Sequence, residues 1–376
     1  MTYELPFRYG PPVDDPFFCD REDELKILLS RMKGGIHVFL LSPRRYGKSS
    51  LLDRSAQLIQ KEGGRCASVN LLRCTNEAEL AGTILSAVVR HLMTRRGRAK
   101  HSLEDLLKRV RIAPRVSLSH DKVELSFDTA LAGQDWVGVL QDAIAILESA
   151  ADKAPAVLIL DEFQVVASIG PKGVGGAFKA LADQAHKASL VFSGSHLSVM
   201  EKLTKGQGAP LLGMGERIVL SVIPEPEMKA FLIRRSKKFD KKLTADNAAL
   251  IYSEADGIPN YVQQLALAAF EAADGEIDTA AVHAGADGIV DRQIGDFAER
   301  FELLAPSQQR TLKTLAAQPT KSVFTKKFMD SVGVANANAV RTALDVLGNR
   351  ELVSKTAGVW VVSDPFLRRW LRRPLD

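Results

Sequence analysis

Two rhythms of apolar and polar residues run along this chain. Short stretches of strand-forming character recur at Ile36 to Leu41, Arg65 to Leu71, Ala156 to Leu160, Ser189 to Phe192 and Arg217 to Val222. The first and third are apolar almost throughout, which suits strands buried on both faces. Between the strands lie helix-length stretches: Ser50 to Glu62, Glu77 to Thr94, Gln134 to Ala151 and Gly176 to Lys187. Alternating strands and helices predict a parallel sheet between two helical layers, an α/β three-layer sandwich. Ahead of the first strand, Arg21 to Met32 reads as a helix capped by Asp20, with Glu22, Asp23 and Glu24 in its first turn and Gly34-Gly35 as its stop.

One insertion breaks this rhythm. Arg115 to Ser119 and Val123 to Phe127 alternate polar and apolar residues around His120-Asp121-Lys122, the pattern of a β-hairpin. From Glu225 the pattern becomes helical; Gly257-Ile258-Pro259 interrupts it and Asn260 to Ala273 resumes it. Beyond Pro306 three helices are expected, Ser307 to Ala317, Thr325 to Val332 and Asn336 to Gly348. Two short strands follow, Leu352 to Lys355 and Val359 to Val362, around Ala357-Gly358. That order predicts a winged helix-turn-helix. The expected domains are therefore a core at 1–223 with the hairpin and a basic insertion at about 96–130, a helical lid at 224–300, and the winged helix at 301–376.

Composition narrows the setting. With 376 residues, 46% hydrophobic and 25% charged, the chain has the make-up of a folded protein of two or three domains. Its net charge of +5 is unevenly placed, since Arg90 to Arg115 holds nine Lys or Arg against Glu104 and Asp105. Such a run reads either as a solvated face or as an arm for phosphate or an acidic partner. Cys19, Cys66 and Cys74 have neither metal-type spacing nor an even count, which favours a reducing compartment. No apolar run approaches the roughly 18 residues of a bilayer span, and Met1 to Pro16 lacks the apolar core of a signal peptide. A cytoplasmic protein without membrane association is expected.

The chemistry concentrates at the ends of the predicted strands. Ser42-Pro43-Arg44-Arg45-Tyr46-Gly47-Lys48-Ser49 lies between a strand and a helix that opens with Ser50, the setting of a phosphate loop. Such a loop aims backbone N–H groups at phosphates, supplies Lys48 as a mobile charge and offers the Ser49 hydroxyl to Mg²⁺. Ser42 stands where a glycine is usual. Arg44 and Arg45 have phosphate, a neighbouring domain or solvent as alternative targets. A second strand delivers Asp161 and Glu162 to its C-terminal end, where open α/β sheets bind ligands. Asp161 is the candidate to hold Mg²⁺ through water, and Glu162 to polarise an attacking water. An acid so placed favours hydrolysis over transfer to a bound acceptor. Ser193-Gly194-Ser195, after the next strand, offers Ser193 or Ser195 as a hydrogen-bonding reporter of a γ-phosphate. The reading is an ATP/ADP and Mg²⁺ site.

Taken with Asp20-Arg21-Glu22-Asp23-Glu24-Leu25, Leu160-Asp161-Glu162-Phe163-Gln164, Gly257-Ile258-Pro259 and Asp364-Pro365-Phe366-Leu367-Arg368, these motifs resemble the archaeal-type ATPases. That family belongs to the signal-transducing (STAND) branch of P-loop NTPases related to the AAA+ class. The resemblance implies an ATPase core with sheet order 5-1-4-3-2, a helical lid and a C-terminal winged helix. It also implies that Phe17 or Phe18 and the turn at Pro259 flank the adenine. Arg217 aligns with an arginine that in relatives reaches the γ-phosphate; the competing reading is a surface Glu216–Arg217 salt bridge.

Three function classes follow. In the first, a nucleotide-driven switch exposes a surface to an unidentified protein partner, with assembly into an oligomer left open. In the second, the winged helix and basic arm bind double-stranded DNA. Asn336 to Gly348 holds one Arg, Arg341, against Asp345, which argues against a major-groove reader. Lys321, Lys326, Lys327, Arg368, Arg369, Arg372 and Arg373 are candidates for a separate basic surface, and Asn336 and Asn338 for adenine contacts. The third class is a nucleotide-stabilised scaffold without turnover.

Overall fold

The first helix, Glu22–Lys33 (α1), carries Glu22, Asp23 and Glu24 in its first turn and Arg31 and Lys33 in its last, charges that oppose its dipole at both ends. Its expected cap does not form. Asp20 (φ 56°) and Arg21 (φ 75°) are both left-handed, and no side chain caps the helix. Arg21 turns inward instead, 4% exposed, and donates to Glu24 Oε1 at 2.7 Å, Tyr46 O at 3.2 Å and Ser221 O at 2.5 Å. These hydrogen bonds offset the burial of its charge and the strain of two left-handed residues.

In this computed structural model residues 4–93, 115–119, 122–126, 135–170 and 173–374 are described. Most of the basic run at Arg90 to Arg115 lies outside them. The chain divides into two units, Pro12–Val222 and a second joining Met1–Pro11 to Ile223–Asp376.

In the first unit the elements after α1 are Val38–Leu41 (β1), Lys48–Lys61 (α2), Arg65–Asn70 (β2) and Glu77–Met93 (α3). The antiparallel hairpin Arg115–Ser119 (β3) and Lys122–Ser126 (β4) follows, then Trp136–Ala151 (α4) and Ala156–Asp161 (β5). Val166–Ile169 (α5), Val174–Gln184 (α6), Ser189–Gly194 (β6), Leu197–Thr204 (α7) and Glu216–Val219 (β7) complete it. The parallel sheet runs β2-β5-β6-β1-β7, which is 5-1-4-3-2 when its five strands are counted in chain order.

Alternate side chains on these strands face opposite layers, as the pleat requires. Phe39, Leu41, Ala67, Val69, Leu158, Leu160, Leu190 and Phe192 pack beneath α3, α4, α6 and α7. Val38, Leu40, Cys66, Val157, Ile159, Val191 and Ile218 pack against α1 and α2. Each such burial contributes about 1.5–3 kcal/mol for a large aliphatic side chain, so this register is strongly specified. Burial also pushes the Cys66 thiol up to about 12, which leaves it protonated and inert at neutral pH.

The second unit opens with Glu225–Lys238 (α8), Lys242–Leu243 (β8), Ala245–Glu254 (α9), Pro259–Ala272 (α10) and Glu276–Ile277 (β9). The 24-residue helix Thr279–Glu302 (α11) lies against α10. A Cβ at Gly285 would come within 2.6 Å of Ala269 N, so this close helix approach requires glycine. Pro306–Ala317 (α12), Lys326–Val332 (α13), Ala337–Asn349 (α14), the hairpin Val353–Thr356 (β10) and Val359–Val362 (β11), and Pro365–Leu371 (α15) form the winged helix. The hairpin turns on Ala357 (φ 49°) and Gly358 (φ 85°), left-handed positions that suit a tight antiparallel connection.

Residues 4–11 pack with this unit rather than with the sheet. Phe7 is fully buried with its ring edge-on to Phe231 at 6.4 Å. Arg235 donates to Pro6 O at 2.8 Å and Leu5 O at 3.0 Å, and Lys238 pairs with Glu4. Phe7→Ala is expected to destabilise the protein by about 3 kcal/mol, the cost of emptying a buried aromatic site. A lowered denaturant midpoint at unchanged slope checks this, and a parent-like midpoint would contradict it.

Candidate active site

Three strand ends meet where the register sets them level. Leu160 pairs with Phe192, so Asp161 and Ser193 come side by side at the C-terminal edge of the sheet, while Ser193 pairs with Leu40 and Ser42 follows two residues beyond it, just past the end of β1. Ser42 N still donates to Gly194 O at 3.3 Å. Ser42 is not among the residues with positive φ, which is why a serine can occupy the glycine position. Its hydroxyl is fully buried with no hydrogen-bond partner among the described residues. The chain then turns over Arg45 (φ 72°) and Gly47 (φ 87°) into α2. Arg44 and Arg45 are exposed, while Pro43 and Tyr46 are partly buried.

The first intrahelical bond of α2 runs from Leu51 N to Gly47 O. The amides before it point out of the helix end, a built-in anion site. Lys48 begins the helix and is 6% exposed. Its Nζ forms a close ion pair with Asp161 Oδ1, donates to Ser193 Oγ at 2.7 Å, and lies 3.7 Å from Glu162 Oε1. Ser193 Oγ donates to the same Asp161 oxygen at 2.6 Å. Ser49 is partly buried beside it, whereas Ser50 is buried and its hydroxyl accepts from Val13 N at 3.0 Å. That hydrogen bond gives Ser50 a structural partner.

Glu162 sits in a left-handed conformation, φ 55°, at the junction of β5 with a single 3₁₀ turn, Phe163–Val165. Phe163 holds the turn in place, fully buried with its ring 4.7 Å from Phe192 and 4.9 Å from Phe178. The two serines after β6 separate: Ser193 bonds Lys48 and Asp161, while Ser195 Oγ donates to Glu162 Oε2 at 2.9 Å. Gln164, named in the sequence only as part of a motif, also donates to Glu162 Oε2. The spacing Glu162-x-Gln164 was the available signal, but residues two positions apart do not face each other on a helix, and it is the 3₁₀ turn after β5 that brings these two together.

A model of an ATPase domain predominantly from Archaea matches residues 18–265, about two thirds of the chain. The chain belongs to this family. In this archaeal-type ATPase a model of a probable winged helix domain matches residues 295–373. Among solved structures, the Walker-type ATPase PABY2304 of Pyrococcus abyssi superposes with a TM-score of 0.68 at 16% identity, over 98% of this chain and 100% of its own. The ORC2 protein of Aeropyrum pernix, solved as ADPNP–ADP complexes, has a TM-score of 0.56 at 15% identity, over 95% and 94%. At such identities the likeness is one of fold. Among curated proteins none matches the chain.

Arg217 is level with Phe39, well before the strand ends, and its Nη2 lies 3.8 Å from Glu201 on α7. Glu216 pairs with Arg31 rather than with Arg217, because adjacent strand residues face opposite ways. Phe18 is partly buried against the apolar layer beneath α1 and α2. Pro259 is buried as the first residue of α10 in the second unit, after Gly257 (φ 66°).

The basic surface expected near the C-terminus does not form from its arginines. Asp364 caps α15 by accepting from Phe366 N and Leu367 N. Arg368 makes a bidentate pair with Asp256 at 2.7 and 2.8 Å. Arg369 pairs with Asp287 and Glu254, Arg373 with Asp287 and Asp291, and Arg372 donates to Ala316 O. The hydrogen bond from Arg369 holds the Asp287 carboxyl below its ordinary range. Asn336 Oδ1 is occupied in capping α14, and Arg341 lies 5.6 Å from the Phe324 ring. Lys321, Lys326 and Lys327 remain exposed.

Proposed function

We propose that this chain binds ATP at the loop 42–49 and hydrolyses it as a switch that governs engagement of a protein partner. The observation that carries the reading is the Lys48–Ser193–Asp161 triangle at the N-terminus of α2. Helix amides, the Lys48 ammonium and the orphaned Ser42 hydroxyl form a donor set suited to a polyphosphate. Asp161 and Ser49 supply hard oxygen ligands of the kind Mg²⁺ takes alongside phosphate and water. Mg²⁺ there would neutralise charge on the phosphate oxygens.

Glu162 accepts a proton from the attacking water, and Ser195 orients its carboxylate. Ser193, bonded to Lys48, is the group to register a γ-phosphate, since a phosphate drawing Lys48 away from Asp161 also removes a donor from Ser193. Phe18, in the unit that carries the loop, is the proposed adenine contact, and Arg217 is left out of the phosphate site. The ORC2 protein of like fold, solved with ADPNP and ADP, supports an adenine nucleotide.

A protein partner is favoured over duplex DNA by the pairing of Arg368, Arg369 and Arg373 with carboxylates, which withdraws those three guanidiniums from phosphate capture. The test is ATP turnover with and without duplex DNA, alongside duplex affinity at increasing salt and the mass of the ADP and ATP forms in solution. Turnover unchanged by duplex is expected. Stimulation by duplex, with affinity falling steeply with salt, would move the reading to a DNA-dependent ATPase. A larger mass with ATP would add self-assembly to the switch.

A further inference from the structure

We infer that Gln164 is a positioning residue that holds the Glu162 carboxylate toward the attacking water. The inference rests on the reading of Glu162 as the hydrolytic base.

Gln164 is 8% exposed and spends its whole amide on two neighbours. Its Nε2 donates to Glu162 Oε2 and, at 3.4 Å, meets Ser195 Oγ; its Oε1 accepts from Ser195 N at 3.3 Å. Ser195 Oγ donates to the same Glu162 oxygen at 2.9 Å. One carboxylate oxygen thus receives two donors, while the other remains toward Lys48 at 3.7 Å. Donors fixed on Oε2 limit rotation of the carboxylate and leave Oε1 to accept a proton.

Space for this amide is made by Gly194. A Cβ there would lie 3.0 Å from Gln164 Oε1 and 2.6 Å from Met200 Cγ, with Met200 fully buried. Three features therefore converge on one carboxylate: the left-handed Glu162, the buried Phe163 that pins the turn, and a glycine that admits Gln164. A glutamine serving only to fill space would not need its amide aimed at the carboxylate.

The test is Gln164→Leu, which keeps the bulk and removes both polar groups. Relative to the parent, kcat is expected to fall about 10- to 100-fold, the equivalent of one lost hydrogen bond to a charged group. KM for ATP and the affinity for ADP should be unchanged. Because Gln164 acts through Glu162, the same substitution in a Glu162→Gln background should leave the residual single-turnover rate unaltered. Denaturant midpoints of the four proteins form a second cycle that reads the coupling without turnover and covers a variant too unstable to assay.

An unchanged kcat overturns the inference, as does an equal loss in both backgrounds or additive stability effects. A parent that binds ATP without turning it over sinks the hydrolytic reading itself. A parent that turns over while Gln164→Leu matches it sinks only the role of Gln164.

Discussion

Replacing Lys48 with Ala is expected to weaken ATP binding by roughly 30-fold or more, the scale of truncating one partner of a buried, hydrogen-bonded charge pair. Lys48 is bonded to both Asp161 and Ser193 at the mouth of the loop. Without it the phosphates would meet Asp161 and Glu162 with their charge uncompensated, and the helix amides alone would carry the attraction. Titration calorimetry with ATP and ADP measures the effect, and thermal melts of the nucleotide-free proteins separate it from misfolding. Affinity equal to the parent in a folded Lys48→Ala protein would remove the foundation of the nucleotide site.

Glu162→Gln should lower turnover by about 10²- to 10⁴-fold, the usual contribution of a positioned general base, while ATP affinity stays within a small factor of the parent. The amide retains the shape of the carboxylate and can still accept from Ser195, so the local packing survives; what is lost is basicity. Single-turnover hydrolysis with a parallel binding titration distinguishes the outcomes. Unaltered turnover would transfer the role to another group. Loss of turnover with partner engagement intact would favour the scaffold reading, in which nucleotide stabilises a surface and its hydrolysis is incidental.

Much of this fold was legible because its signals are local. A run such as Val38-Phe39-Leu40-Leu41 is satisfied with both faces buried, and the positive φ at position 47 is one that glycine adopts without strain. The hairpin at β3–β4 and the wing at β10–β11 were readable from alternation around short polar turns. Sheet order was not readable from periodicity; it came from the family resemblance, and register alone brings Asp161 and Ser193 level, with Ser42 just beyond the end of β1. The long α11 was missed, since its Gly285, Gly288 and Gly295 weaken helix propensity and its burial against α10 restores it.

Charges were the least legible part. Arg368, Arg369 and Arg373 looked like a surface for anions, and their carboxylate partners lie more than eighty positions away in sequence. Arg21 looked like the opening of a helix and is a buried donor to two carbonyls, one in the loop and one in the segment that follows β7.

The sequence by itself determined the strand–loop–helix around Lys48, the acidic pair at the end of β5 and the helical order of the C-terminal half, because periodicity and backbone conformation are properties of neighbours. Tertiary structure decided which polar groups meet. It gave Ser193 to Lys48 and Asp161, gave Ser195 and Gln164 to Glu162, and drew Arg217 to Glu201. Hydrogen bonds and ion pairs act over a few ångströms of space, and only the register of the sheet and the packing of its layers convert distance along the chain into that proximity.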